Sequence, residues 1–300
     1  SNQKVWPIRV NAGVNRGYWE DQLRKDGTLQ DFTAACGPLV YRGDNFPAEF
    51  YGNYFSAEPS AHVIRRSIIT EEDGILSARN AYEGQEFLGS TDERFRPVNM
   101  QTAPDGTLYV VDLYRGILQH RQFITSYLRQ QIIERGLDKG IRLGRIYRIV
   151  HESKQPGPPP NLSRASSDQL VGHLSHPNGW WRDTARRMLV ERGDKSVVPA
   201  LRKQALSSTA SVPNRLQALW IMEGLGALDE EALVNVMNDP SPKLRVTAIR
   251  LSEPALAAGN PSAIERVSGR MNDPSREVRL QVALSLGEAP ASERGAALAT

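Results

Sequence analysis

Six side chains in the first half of this 300-residue chain are of types that could do chemistry: Glu58, Arg94, Arg96, Asp112, Arg115 and His120. Glu58 sits in Ala57-Glu58-Pro59 after an aromatic run, which puts a carboxylate at the end of a strand. Arg94 and Arg96 flank Phe95, and a guanidinium can hold a carboxylate through two parallel hydrogen bonds. His120 and His62 are the histidines of the strand-rich part before His151, and a histidine is the usual base for taking the proton of a hydroxyl. Plainer readings stand beside these. Asp112, like Asp105, suits a turn or a strand end. Arg115 suits a solvated or paired place on a helix flank, and His120 a cap or surface position beside an amphipathic helix. No two carboxylates are spaced for acid–base work, and none of these spacings is a motif on its own.

Other chemistry is closed by composition. Cys36 is the single cysteine, so an internal disulfide, a C-x-x-C-H haem tether and a zinc site built on cysteine pairs are all excluded. No apolar run approaches the roughly 18–20 residues that span a bilayer. The net charge is +3, with 20 basic against 19 acidic residues before Pro156 and 17 against 15 after it. Neither half therefore carries the basic surplus expected of a nucleic-acid binder. The chain opens Ser-Asn-Gln without Met and closes on Ala296–Thr300 in helix-like sequence, so it reads as an internal fragment, and the lack of a leader says nothing about export.

Two kinds of element must position the candidates. Residues 153–163, Ser-Lys-Gln-Pro-Gly-Pro-Pro-Pro-Asn-Leu-Ser, predict an extended connector. Before it the pattern predicts strands. Phe50–Glu58 and Val63–Thr70 are joined by Pro59-Ser-Ala, Leu108–Val111 follows the Asp105-Gly106 turn, and Gly144–Val150 alternates. Between the last two, Phe123, Ile124, Tyr127, Leu128, Gln131 and Ile132 fall at helical spacing, with Gly136 placed to end the helix. After the connector, four segments align on Arg182, Arg215, Arg245 and Arg279, spaced 33, 30 and 34 residues apart. Each leads an apolar helical stripe. Asp239 and Asp273 are expected to accept hydrogen bonds from first-turn N–H groups, with Pro240 and Pro274 opening the helices. Such helix pairs bury their faces by stacking on neighbours. Trp180 and Trp181, at the start of the first repeat, are expected to seal the end of the stack.

Asp-Pro-Ser-x-x-[Leu/Val]-Arg at 239–245 and 273–279 resembles HEAT repeats, in which the acid and the arginine form a ladder between neighbours. Several segments of the first half carry a wider likeness. They are Ala35-Cys-Gly-Pro with Tyr41-Arg-Gly-Asp, Gly52–Pro59, Glu86–Val98, Pro104–Arg115 and Gly144–His151. With these the chain resembles the propeller-plus-HEAT proteins known as membrane-bound dehydrogenases, bacterial relatives of the sorbosone and glucose dehydrogenases. The resemblance implies a multidomain β-then-α fold: the last blades of a β-propeller with an inserted helix over 1–152, the connector at 153–163, and a HEAT solenoid over 164–300. It implies an exported or periplasmic redox protein that oxidises a sugar or alcohol through a pyrroloquinoline quinone, with a c-type cytochrome as electron acceptor. The candidates Glu58, Arg94, Arg96, Asp112, Arg115 and His120 would then lie at the channel mouth, the arginines facing the quinone's three carboxylates. The family's catalytic base lies in an early blade and matches no residue here. The rival expectation is a non-catalytic scaffold that presents surfaces to partner proteins.

Overall fold

The computed structural model describes residues 3–14, 21–72 and 74–292. They form two compact units, the first made of Ser1–Thr70, Leu76–Pro160 and Pro177–Trp180, the second of Glu71–Ile75, Asn161–His176 and Trp181–Thr300.

In the first unit, β1 (Cys36–Val40), β2 (Tyr54–Glu58), β3 (Val63–Glu72) and β4 (Ile75–Asn80) lie in that order in one sheet, and β5 (Leu88–Gly89) pairs with β3. A second sheet runs β6 (Pro97–Thr102), β7 (Leu108–Asp112), β8 (Arg145–Ile149). Alternation decides which residues turn inward. Phe55 and Ala57 of β2, Ile64 of β3, Met100 of β6, and Leu108 and Val110 of β7 share one core with Tyr41 and Phe46. Asp105-Gly106 makes the β6–β7 turn: Gly106 takes a φ of 83°, open to a residue without Cβ, and Asp105 accepts the N–H of Thr107 at 3.1 Å. Between β7 and β8 lies α1 (Ser126–Arg135). Thr125 caps its start by accepting from Leu128 N, and Gly136, at φ 59°, ends it in the left-handed conformation.

These findings correct the expected fold. The first unit is not a set of propeller blades: its two antiparallel sheets stay open, neither closed into a ring or barrel, and a helical region follows them. The hairpins sit where turn and alternation signals put them, but those signals are local. The same grammar builds an open sheet, and whether sheets close on one another is decided by how their faces pack. The inserted helix α1 therefore interrupts the chain between two strands of an open three-stranded sheet and not between the strands of a ring.

The helical region holds α2 (Ser167–His173), α3 (Gly179–Arg192), α4 (Val198–Ala205), α5 (Val212–Gly224), α6 (Glu230–Met237), α7 (Pro242–Leu251), α8 (Glu253–Ala257), α9 (Pro261–Ser268) and α10 (Arg276–Leu286). α5, α7 and α10 are successive neighbours, with α4 against α5 and α6 against α7. The starts of α7 and α10 differ from expectation by two residues. Ser241 is the N-cap of α7 with Pro242 in the first turn, and Ser275 is the N-cap of α10. Asp239 and Asp273 instead accept the N–H of Ser241 (2.8 Å) and Ser275 (2.9 Å), closing a turn ahead of each helix. The proline after each aspartate disfavours helical backbone at the aspartate itself, so the helix waits for the serine. Trp181 stacks on His176 at 4.9 Å between ring centres and lies 5.0 Å from His173. Trp180 belongs to the first unit and Trp181 to the second. Ala296–Thr300 lies outside the described residues, and no described helix is long and apolar enough to cross a membrane.

The aspartates that open these turns also hold neighbouring repeats together. Arg215 bonds Asp239 at 2.5 Å. Arg245 takes both oxygens of Asp273, at 2.9 and 2.7 Å, and adds the carbonyls of Asp239 and Pro240. Burial alone would raise the Asp273 carboxyl, but Arg245 and the Ser275 N–H outweigh it and hold it below the ordinary value. Removing one member of a buried, bidentate pair leaves the other charge without a partner. Arg245→Met is therefore expected to lower the unfolding free energy by about 3–5 kcal/mol in chemical denaturation. Arg202→Met, at the exposed contacts with Asp229 and Glu231, should leave it nearly unchanged. Equal losses at both positions would contradict this.

Candidate functional site

Glu58 ends β2 and is fully buried. Its Oε2 accepts the N–H groups of Thr33 (2.9 Å) and Ala34 (2.8 Å), and its Oε1 that of Ser60 (3.1 Å). Burial pushes the carboxyl up against the lowering effect of those three donors. The side chain thus works as a clasp that ties the 33–34 loop and the turn after β2 to the strand end. Four residues on, His62 holds a φ of 60°, a left-handed conformation unusual outside glycine. Its Nδ1 lies 2.8 Å from the carbonyl of Phe95. A carbonyl can only accept, so Nδ1 carries the hydrogen and donates it. Burial, with Arg96 nearby, drives the imidazole down to about 3.

Arg96, beside Phe95, is 3% exposed. Its Nε donates to the carbonyl of Arg115 (2.8 Å), Nη1 to Pro59 (2.7 Å) and Nη2 to Gly116 (2.7 Å). Burial lowers its value to about 10, so it stays charged at neutral pH. The fixed fork of a guanidinium can meet three carbonyls from two chain segments at once, which an ammonium cannot. Asp112, the last residue of β7, accepts the N–H groups of Arg96 (2.8 Å) and Tyr114 (2.7 Å) through Oδ1, while its buried Oδ2 accepts no hydrogen bond among the described residues.

Of the six sequence candidates, Glu58, Arg96 and Asp112 therefore meet in one buried network, with Arg115 entering through its backbone carbonyl. Arg94 goes elsewhere. It donates to the carbonyl of Gly136 at 3.0 Å and so caps the end of α1, where a cation favours the helix dipole. His120 is exposed at the start of a short turn, with its ring 6.2 Å from that of Phe123. The convergence has a sequence counterpart, because Thr33 and Ala34 adjoin the first resembling segment. Glu58, Arg96 and Asp112 lie in three others.

The network walls a cavity of about 520 Å³. Its polar lining is Gln22, Thr33, Ser60, Arg96 and Gln119, with Leu118 and Leu128 among its apolar groups. None of the described lining residues is an acid or a histidine. Gln22 is 7% exposed and its Oε1, buried, accepts no hydrogen bond among the described residues. Sequence reading missed Gln22, Thr33, Ser60 and Gln119. Neutral amides and hydroxyls in turns carry no spacing signal, and only the fold brings these four, from four separate places in the chain, to one cavity.

A pyrroloquinoline-type quinone does not fit this lining. Its three carboxylates need several free cationic donors, and the one basic side chain among the described lining residues already serves three backbone carbonyls. A thioether-linked haem has no pair of cysteines here. The family described as a domain of unknown function (DUF7133) matches residues 1–153, and no curated protein matches the chain.

Proposed function

The chain belongs to the DUF7133 family, and from that premise we propose that its first unit is a non-catalytic binding module for a small neutral polyhydroxylated ligand, of the size of a sugar. The observation that carries this is the lining itself: amides and hydroxyls from Gln22, Gln119, Thr33 and Ser60 around a cavity of about 520 Å³, with the Gln22 oxygen buried and without a donor among the described residues. A buried acceptor without a donor costs free energy that a ligand hydroxyl would recover. Cavities of roughly 300–1,000 Å³ with a few placed polar groups suit such ligands. Arg96 keeps its guanidinium on three backbone carbonyls and so holds the wall in place, while the described lining residues offer no acid or histidine to take a hydroxyl proton. In the exported, sugar- or alcohol-oxidising setting that the sequence resemblance suggests, this unit would supply recognition and no redox step. The helical unit would supply surface for protein contacts.

Calorimetric titration of the whole chain tests the reading, with a panel of neutral hexoses, disaccharides and polyols set against sugar acids and pyrroloquinoline quinone. A neutral member is expected to bind, and Gln22→Leu to weaken it about tenfold, the worth of one hydrogen bond at a buried site. The same substitution should leave the melting temperature level or raise it, because it removes an unpaired buried oxygen. Binding by carboxylated ligands alone, or by no member of the panel, overturns the proposal.

A further inference from the structure

β8 (Arg145–Ile149) pairs with β7 along one side, through a continuous register from Arg145↔Asp112 to Ile149↔Leu108, and no described strand pairs with its other side. An edge of this kind presents unpaired N–H and C=O groups, and proteins usually blunt it with proline, a bulge or a covering element. β8 has no proline and its register has no shift; Ile146 is 67% exposed on one face, while on the other Tyr147 lies 6.1 Å from the Phe95 ring and Ile149 packs on the core. Ile141 and Leu143, just before the strand, are exposed as well. An exposed apolar edge marks a place where another strand is received.

Charge says which strand. Between 139 and 148 the chain carries Lys139, Arg142, Arg145 and Arg148 and no acid, and all four are exposed. Arg145 lies over the Tyr114 ring at 3.7 Å and Arg148 reaches Asp105 at 3.4 Å, so both stay beside the edge. A second copy pairing there would bring these cations together, which like-charge repulsion opposes. We propose that the free edge of β8 receives an extended segment of a partner protein that carries acidic residues on both faces among apolar ones, since Arg145 and Arg148 lie on opposite faces of the strand. The backbone ladder would give affinity, and the arginines would select the acidic side chains. This surface is separate from the polyol cavity and stands or falls without it.

Hydrogen exchange on the whole chain tests it, with a short capped peptide carrying glutamates on both faces among valines as the probe. At nine-tenths occupancy those amides of 145–149 that point away from β7 are expected to exchange about tenfold more slowly. A peptide with lysine for glutamate, or with a central proline, should give no protection. The double variant Ile146→Asp, Arg142→Glu alters exposed side chains, so its melting temperature should hold while the protection disappears. The proposal is overturned if no peptide slows these amides, if the lysine peptide protects equally, or if they become protected with rising protein concentration alone, which would make a second copy the occupant.

Discussion

As the pH falls from 6.5 towards 3, the first unit is expected to lose on the order of 4–5 kcal/mol of stability through His62 alone. The imidazole is driven from its ordinary 6.5 to about 3 by burial first, then by the nearby Arg96 and Arg9, against the favourable hydrogen bond to Phe95 and the charge of Asp92. Between those two values the unfolded chain binds a proton that the folded chain refuses. Stability therefore rises with pH through this window, is complete above 6.5, and is lost progressively below it. Asp273 adds to the acid loss in the second unit, but at lower pH, because its folded value is depressed below that of an ordinary carboxylate. Glu58 acts in the opposite sense. Its value is raised, so folding is favoured by acid between the unfolded value and the folded one. His62→Asn checks the assignment, since asparagine tolerates the left-handed backbone and can still donate to the Phe95 carbonyl. Chemical denaturation of the variant should show the loss between pH 6.5 and 4 largely removed. An unchanged pH dependence would mean that another group carries it.

The second large effect is at Arg96. Replacing it by methionine leaves the carbonyls of Pro59, Arg115 and Gly116 without their donor in a buried place, and each unpaired carbonyl costs about 1–3 kcal/mol. Arg96→Met is expected to destabilise the first unit by about 3–5 kcal/mol and to abolish ligand binding, because Arg96 itself lines the cavity. Arg96→Lys should lose most of the same stability. It keeps the charge, but a point donor cannot serve three diverging carbonyls. Arg94→Met, which removes one helix-end contact, should cost no more than about 1 kcal/mol. If Arg96→Lys matched the parent in denaturation and in binding, the clasp would be unimportant.

Particular residues show why some of this could be read from the sequence and some could not. The β6–β7 turn at Asp105-Gly106, the helix capped by Thr125 and ended by Gly136, and the helices behind Arg215, Arg245 and Arg279 all have local causes. A left-handed backbone needs glycine, a cap needs an oxygen, and an apolar stripe needs a period. The ring expected of the first unit has no local cause. Phe55 and Met100 turn inward in a closed ring and in a pair of open sheets alike. The resemblance offered Glu58, Arg94, Arg96, Asp112, Arg115 and His120 as a channel mouth; in the structure the side chains of Glu58, Arg96 and Asp112 are clasps on backbone groups. A carboxylate at a strand end looks the same in sequence whether it faces a substrate or three N–H groups. Gln22 left no trace, because its interest arises only from being buried without a partner.

The measurement that bears most directly on the central claim is the number of protons exchanged when a neutral sugar or polyol binds, obtained by calorimetry in buffers of different ionisation enthalpy. A cavity whose described lining holds no acid or histidine, and whose arginine stays charged far above neutrality, should bind with no net proton uptake or release from pH 6 to 8. Transfer of close to one proton per ligand would place a titrating group against the bound hydroxyls, and the first unit would have to be reconsidered as a catalyst.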